Sequence, residues 1–310
     1  MTAGVASGRR YRQLRVVLSA ILLWILTLAP LSSSAATTVP RATGERPAAA
    51  TRVLIVHDAD AVPVRLARSA RRIVTLAPHL SEAVFTLGAG ERLVAVSDHS
   101  DFPPAARRLP RVGDAFSVQL EAVLALRPDL VLVWGASGHP LSRSALARAG
   151  AALFVSRPVR LRDVATEMRA LGVLLGRDSQ ARAFADAYAE RLERAAMQGG
   201  ARGRRVFLQM GAPSLYTVGD AHYIGEALRL CGAVNVFAEL RGAAPLVSAE
   251  AVLARRPDVV LMLDDLPAAA SGHWRRRGVQ DVRAVPSTLL GRPGPRLADG
   301  VLAMCVALGR

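Results

Sequence analysis

The residues of this 310-residue chain that are able to do chemistry are few and far apart. His79, His99 and His222 carry imidazoles that could ligate a metal, although a lone histidine is more often a solvated or hydrogen-bonded loop residue. Cys231 and Cys305 are the only cysteines, and they form either one disulfide or two buried thiols; no C-x-x-C or Cys/His cluster offers a structural zinc site, and no resident metal is expected. Asp264-Asp265 is an acidic pair of the kind more often found in a solvated strand-end loop than in an acid/base dyad. There is no G-x-S-x-G elbow, no H-E-x-x-H and no phosphate-cradling glycine loop, so the residues speak for binding and against an enzyme such as a metal-dependent hydrolase.

The elements that position these residues announce themselves by repetition. Leu120-Glu121-Ala122-Val123-Leu124-Ala125-Leu126-Arg127-Pro128-Asp129-Leu130-Val131-Leu132 returns as Ala249-Glu250-Ala251-Val252-Leu253-Ala254-Arg255-Arg256-Pro257-Asp258-Val259-Val260-Leu261. A short helix opened by a glutamate, a proline that stops it and an aliphatic run make a helix-to-buried-strand unit. Two copies predict two similar α/β lobes with mostly parallel sheets, each presenting one glutamate at an equivalent place.

In the first lobe, 72–160, strands are expected at Arg72–Leu76, Leu93–Ser97, Leu130–Trp134 and Ala152–Val155, with Ser81 capping a helix that ends near Gly88. The segment 161–203 carries Leu161, Val164, Met168, Leu171 and Leu175 at helical spacing, is interrupted at Gly176–Ser179, and resumes with Phe184, Tyr188 and Leu192. It predicts a long rigid α-helical strut joining the lobes, with Ser179 able to cap the second helix after the interruption, or else a surface helix of the first lobe. The second lobe occupies 204–310. Before the lobes, 37–71 reads as a flexible lead-in followed by a hairpin, Val53–Val56 and Val62–Leu66 flanking the polar turn His57-Asp58-Ala59-Asp60.

Arg9, Arg10, Arg12 and Arg15 precede an apolar run from Val16 to Leu31 and small residues to Ala36, the pattern of a secretory signal peptide over 1–36. The run is shorter than the ~20 residues of a membrane span. Export makes the cysteine pair a disulfide candidate, tying the C-terminal apolar segment to its own lobe. All 40 basic residues are arginine, and loss of the first 36 residues, which hold four arginines and no acid, lowers the formal charge from +15 to +11. The arginines form no stripe and are not interleaved with aromatics, so a solvated surface, not a nucleic-acid interface, is expected.

Arg72-Ile73-Val74-Thr75-Leu76-Ala77-Pro78 with Ser81-Glu82, then Val96-Ser97-Asp98-His99-Ser100-Asp101-Phe102-Pro103-Pro104, then Leu109-Pro110-Arg111-Val112-Gly113-Asp114 and the repeated units, resemble the helical-backbone (class III) periplasmic substrate-binding proteins that feed ABC importers for vitamin B12, heme and iron-siderophores. Within it, Arg205–Gln209, Tyr216–Gly219, Leu230-Cys231-Gly232, Asn235-Val236-Phe237 and Cys305 resemble members that take up cobalamin. The resemblance implies no catalysis, a cobalamin or related corrinoid ligand, and an inner-membrane ABC permease dimer docked by Glu121 and Glu250; helix capping is the plainer reading of those two residues.

The implied ligand cleft draws on Pro78, His79, His99, Asp114 to Phe116, Trp134 and Gly135 from one lobe. From the other it draws on Tyr216, His222, Asp264 and the loop Thr288, Leu289, Leu290, Gly291, Arg292. Trp134 and Tyr216 supply aromatic walls for a broad ring fringed by amides. His99, Ala115 and Ala244 depart from that pattern, standing where the cobalamin binders carry aromatics. Heme is the alternative, weakened by Asp114 standing where heme binders offer a tyrosine. A ferric siderophore, third, would draw on Arg292 and Arg296.

Overall fold

Continuous aliphatic runs bury both faces of a strand, and here they assemble two all-parallel sheets. A computed structural model describes residues 53–309 except 115–116, 136–142, 212 and 264–267. The signal-peptide segment, the lead-in and the candidates Ala115, Phe116, Asp264 and Asp265 lie outside the described residues.

Strands β1 (Leu54–His57) and β2 (Pro63–Leu66) form the expected antiparallel hairpin. Asp58 folds its turn by accepting the amides of Asp60 and Val62 at 3.0 and 3.1 Å. The first lobe runs β3 (Ile73–Thr75), α1 (Pro78–Thr86), β4 (Leu93–Val96), α2 (Leu120–Ala125), β5 (Leu130–Trp134), α3 (Arg143–Arg148) and β6 (Ala152–Ser156). Then come α4 (Leu161–Leu175) and α5 (Asp178–Met197). The second lobe runs β7 (Arg205–Met210), α6 (Tyr223–Leu230), β8 (Val234–Asn235), α7 (Ala249–Ala254), β9 (Val259–Leu263), α8 (Ala268–Arg275), β10 (Asp281–Val285), α9 (Ser287–Leu290) and α10 (Leu297–Gly309). The sheet orders, β4-β3-β5-β6 and β10-β9-β7-β8, are the same topology: in each lobe the first strand lies between the second and third, and the fourth borders the third.

The repeated Arg-Pro-Asp has a mechanical reason. A residue before proline avoids the right-handed helical region, and Arg127 and Arg256 end their helices at φ 46 and 44. Asp129 then accepts the amides of Arg71 and Arg72 at 2.8 and 3.0 Å, and Asp258 that of Arg205 at 2.7 Å. Arg72 and Arg205 return the favour, their guanidinium groups donating to the carbonyls of Leu126 and Arg255 at 2.6 Å each. Helix end, third strand and first strand are thereby stapled at one corner of each lobe.

Alternation along the strands divides the core. Ile73, Leu130 and Leu132 join one cluster that continues through α4, α5 and α10 to Val206, Leu208, Val259 and Leu261 of the second lobe. Val74, Val131 and Val133 face a separate layer under α2 and α3, and Phe207, Val260 and Trp274 do the same in the second lobe. One apolar cluster thus spans both lobes. Cys231 and Cys305 form a disulfide at the end of α6 and within α10.

Two capping expectations are corrected. Helix α1 starts at Pro78, because proline suits the first helical turn, and Ser81 lies inside it, buried, its hydroxyl paired with Thr75 Oγ1 at 2.7 Å and Ser100 Oγ at 3.1 Å. Helix α5 likewise starts ahead of Ser179, whose hydroxyl donates to the Gln180 side chain. The linking segment is two helices, α4 and α5, separated at the interruption the sequence marks. Gly176 at φ 62 ends α4 in a left-handed cap, and α5 folds back, the Tyr188 hydroxyl donating to the Leu161 carbonyl at 3.0 Å. Only α4, about 22 Å long at 1.5 Å per residue, bridges β1 and α6; α5 packs along α10.

Candidate functional site

Parallel strands end on one side of each sheet, and the loops that follow them define the natural binding edge. A cleft of about 520 Å³ lies there between the lobes. Its first-lobe wall is Trp134 at the end of β5, Gly135, and Arg157 to Val159 after β6. The opposite wall is Met210 at the end of β7, Ala221 to Tyr223 at the start of α6, the loop Leu240 and Gly242 to Ala244, and Gly291. Ala244 thus sits on the wall, where its small side chain leaves width that a tryptophan would fill.

The sequence-predicted residues divide by what they touch. Trp134 is half-buried and meets the edge of His79 with ring centroids 5.8 Å apart. Tyr216 is 43% exposed and is not among the residues lining the cleft; it is tied to the wall through its backbone, the Met210 amide donating to the Tyr216 carbonyl at 2.8 Å. Thr288 is exposed and Leu290 buried in α9, leaving Gly291 as the residue of that loop on the cleft. His222 lies on the wall as the N-cap of α6: its Nδ1 accepts the Ile224 amide at 3.2 Å, and burial lowers its pKa to about 4. His99 is exposed at φ 61 and contributes its carbonyl, not its ring, to the lobe contact.

His79 is buried on α1, and burial first, then the charge of Arg292, lowers its pKa to about 3. Its Nε2 has no hydrogen-bond partner. Among the described residues, no group of three or more His, Cys, Asp or Glu is arranged to hold a metal ion.

An ion cluster that the sequence did not advertise ties the lobes beside the cleft. Glu82 of α1 is 2% exposed and accepts from Arg296 Nε and Nη2 at 2.8 and 2.7 Å and from Arg292 Nη1 at 3.2 Å. Arg292 also reaches Asp101 at 2.6 Å and the His99 carbonyl at 3.3 Å. Hydrogen bonding from Arg292 holds the Asp101 carboxyl below its usual range. Arg296 stacks over Phe102, 4.1 Å from the ring centroid. Gly294 lets this loop approach α1, since a Cβ there would come within 2.7 Å of the His79 Cβ. The one available sequence signal was an acid inside the apolar run of α1; its partners are some two hundred residues away.

Two further ties cross the same region. Glu226 of α6 accepts the Leu161 amide at 2.8 Å, at the start of α4. Glu167 of α4 accepts from Ser156 Oγ and the Arg157 amide at 2.5 and 2.8 Å behind the first-lobe wall, and burial pushes its pKa up to about 7.

Glu121 and Glu250 are exposed in the first turns of α2 and α7. Because helices run back against parallel strands, both helix starts lie on the strand-end side of their lobes. The Glu250 carboxyl is held below its usual range by its own backbone amide and by the Ser248 hydroxyl. Glu121 has no matching cap, since the Gln119 side chain makes no capping hydrogen bond.

The sequence model of the periplasmic binding protein family matches residues 73–287. The chain is 34% identical over 248 residues to the vitamin B12-binding protein of Vibrio cholerae, covering 77% of this chain and 89% of that one. It is 32% identical to the vitamin B12-binding protein of Pectobacterium carotovorum, covering 77% and 88%. The crystal structure of the periplasmic vitamin B12 binding protein of Vibrio cholerae superposes with TM-score 0.69 at 31% identity, covering 77% of this chain and 96% of that one. A periplasmic heme-binding protein in complex with two hemes superposes with TM-score 0.68 at 25% identity, covering 78% and 98%.

Proposed function

Because this chain belongs to the periplasmic binding protein family, we propose that it captures cobalamin or a related corrinoid in the periplasm and delivers it to the dimeric permease of an ABC importer, without catalysis of its own. The observation that carries the reading is the interlobe cleft, whose walls combine Trp134, Met210 and Tyr223 with exposed backbone of the Gly242–Ala244 loop. Such a surface suits a broad apolar ring whose rim bears amides. The likeness to vitamin B12-binding relatives over most of the chain supports the same choice.

Capture by this scaffold calls for little closure. The lobes share an apolar cluster, α4 spans them, and the Glu82 cluster straps them beside the cleft. Ligand binding therefore works on a largely preformed cleft, with rocking of a few degrees in place of a wide hinge. On the strand-end side, Glu121 and Glu250 would meet basic residues of two symmetric permease subunits, steering the encounter and setting its register more than adding affinity.

The heme-bound neighbour favours a second reading, heme. Against it, His79 is buried away from the cleft surface. Arg292 and Arg296, the basic groups a ferric siderophore would use, are already engaged by Glu82 and Asp101. The test is calorimetry of the mature protein with cyanocobalamin, cobinamide and hemin. Stoichiometric binding of the corrinoids is expected, with Trp134→Ala and Tyr216→Ala each weakening it by roughly 1–3 kcal/mol. Binding of hemin alone would replace the corrinoid reading with the heme one.

A further inference from the structure

The geometry points to His222 as a neutral hydrogen-bond donor that recognises an amide carbonyl on the rim of the corrinoid, and not as an axial ligand to its metal; this rests on the ligand reading above. A backbone amide can only donate, so the 3.2 Å contact from Ile224 N means that Nδ1 of His222 presents its lone pair inward. A neutral imidazole carries one proton, which must then sit on Nε2. Burial keeps the second proton off near neutrality.

The ring is also held in place. It caps α6 and lies against Tyr223 with ring centroids 4.2 Å apart. Among the described residues Nε2 has no protein acceptor, while His222 lines the cleft. Metal ligation needs a lone pair on Nε2. Supplying it would move the proton to Nδ1 and strand the Ile224 amide at the start of the helix, one of the donors such a terminus must satisfy. The carbonyl oxygens on a corrin rim accept the Nε2 proton with no such rearrangement.

Two isosteres separate the roles. His222→Asn places an acceptor oxygen near the Nδ1 position, so the cap survives, but removes the outer N–H. His222→Gln keeps an outer N–H and loses the cap. The Asn variant is expected to bind cyanocobalamin roughly threefold to tenfold more weakly, the loss of one neutral hydrogen bond, with an unchanged unfolding midpoint. The Gln variant should stay within about twofold of wild-type affinity while melting lower. Diaquacobinamide bound to the wild type should keep its water-ligated absorption spectrum. Wild-type affinity in His222→Asn, or a nitrogen-ligated cobinamide spectrum that this variant abolishes, overturns the inference while leaving the corrinoid reading intact. A wild-type protein that binds no corrinoid overturns both.

Discussion

Replacing Glu82 by glutamine should loosen the joint between the lobes. The carboxylate accepts three hydrogen bonds from two guanidinium groups of the other lobe, at 2.7, 2.8 and 3.2 Å, and is 2% exposed. The amide keeps the volume but turns an NH2 toward donors and removes the countercharge. Breaking one partner of a fully buried pair costs about 3–5 kcal/mol. Here the arginine side chains retain 17% and 23% exposure, so water replaces part of what is lost, and Asp101 still holds Arg292. The expected loss is therefore about 2–3 kcal/mol, near the cost of the charge-assisted hydrogen bonds alone. For a chain of this size it corresponds to a drop in unfolding midpoint of roughly 5–10 °C. Differential scanning calorimetry of the mature protein measures it. Asp101→Asn is the control: Asp101 is half-exposed, and its loss should cost less than about 1 kcal/mol. A Glu82→Gln midpoint within about 1 °C of wild type, or an equal drop in both variants, would refute the view that the buried carboxylate straps the lobes.

His79 should make stability pH-dependent. Its folded pKa of about 3 lies below the ordinary 6.5, so the unfolded chain takes up a proton that the native state refuses; stability is full above 6.5 and declines as pH falls toward 3. The wild type should lose about 1.4 kcal/mol per pH unit in that window relative to His79→Leu, and parallel urea midpoints across pH would contradict it. Cys231 and Cys305 close a 74-residue separation, so the double alanine variant should lose about 4 kcal/mol in urea unfolding on the chain-entropy account; an unchanged midpoint would remove that role. Glu121→Ala with Glu250→Ala should leave corrinoid affinity intact and sharply lower uptake in cells. Normal uptake by that variant would leave the two glutamates as residues of the helix starts alone.

What was legible in the sequence was whatever repeats or acts over short range. The duplicated helix-Pro-strand unit announced two lobes because each copy must satisfy the same local demands: a proline that ends a helix and an aspartate that caps a neighbouring strand. The hairpin was visible in its polar turn, and the cysteine pair in its number and its expected compartment. Ser81 misled because a serine near a helix start competes with proline and with buried hydroxyl partners that only the fold supplies; Ser179 misled because α5 begins one residue ahead of it, at Asp178, and leaves its hydroxyl to the neighbouring Gln180 side chain. The reversal at Gly176 was visible as an interruption, but not as a turn that lays α5 along α10, since helical spacing says nothing about which helix a face will meet.

The joint between the lobes was decided by tertiary structure alone. Glu82 finds Arg292 and Arg296 more than two hundred residues away, and no periodicity or motif encodes a pairing across that distance. Burial of His79 and the tautomer of His222 likewise follow from neighbours brought together by folding. Local chemistry is written in the order of residues. The charge state and hydrogen-bond direction of a cleft are set by desolvation and by backbone groups that exist as partners only after the chain has folded.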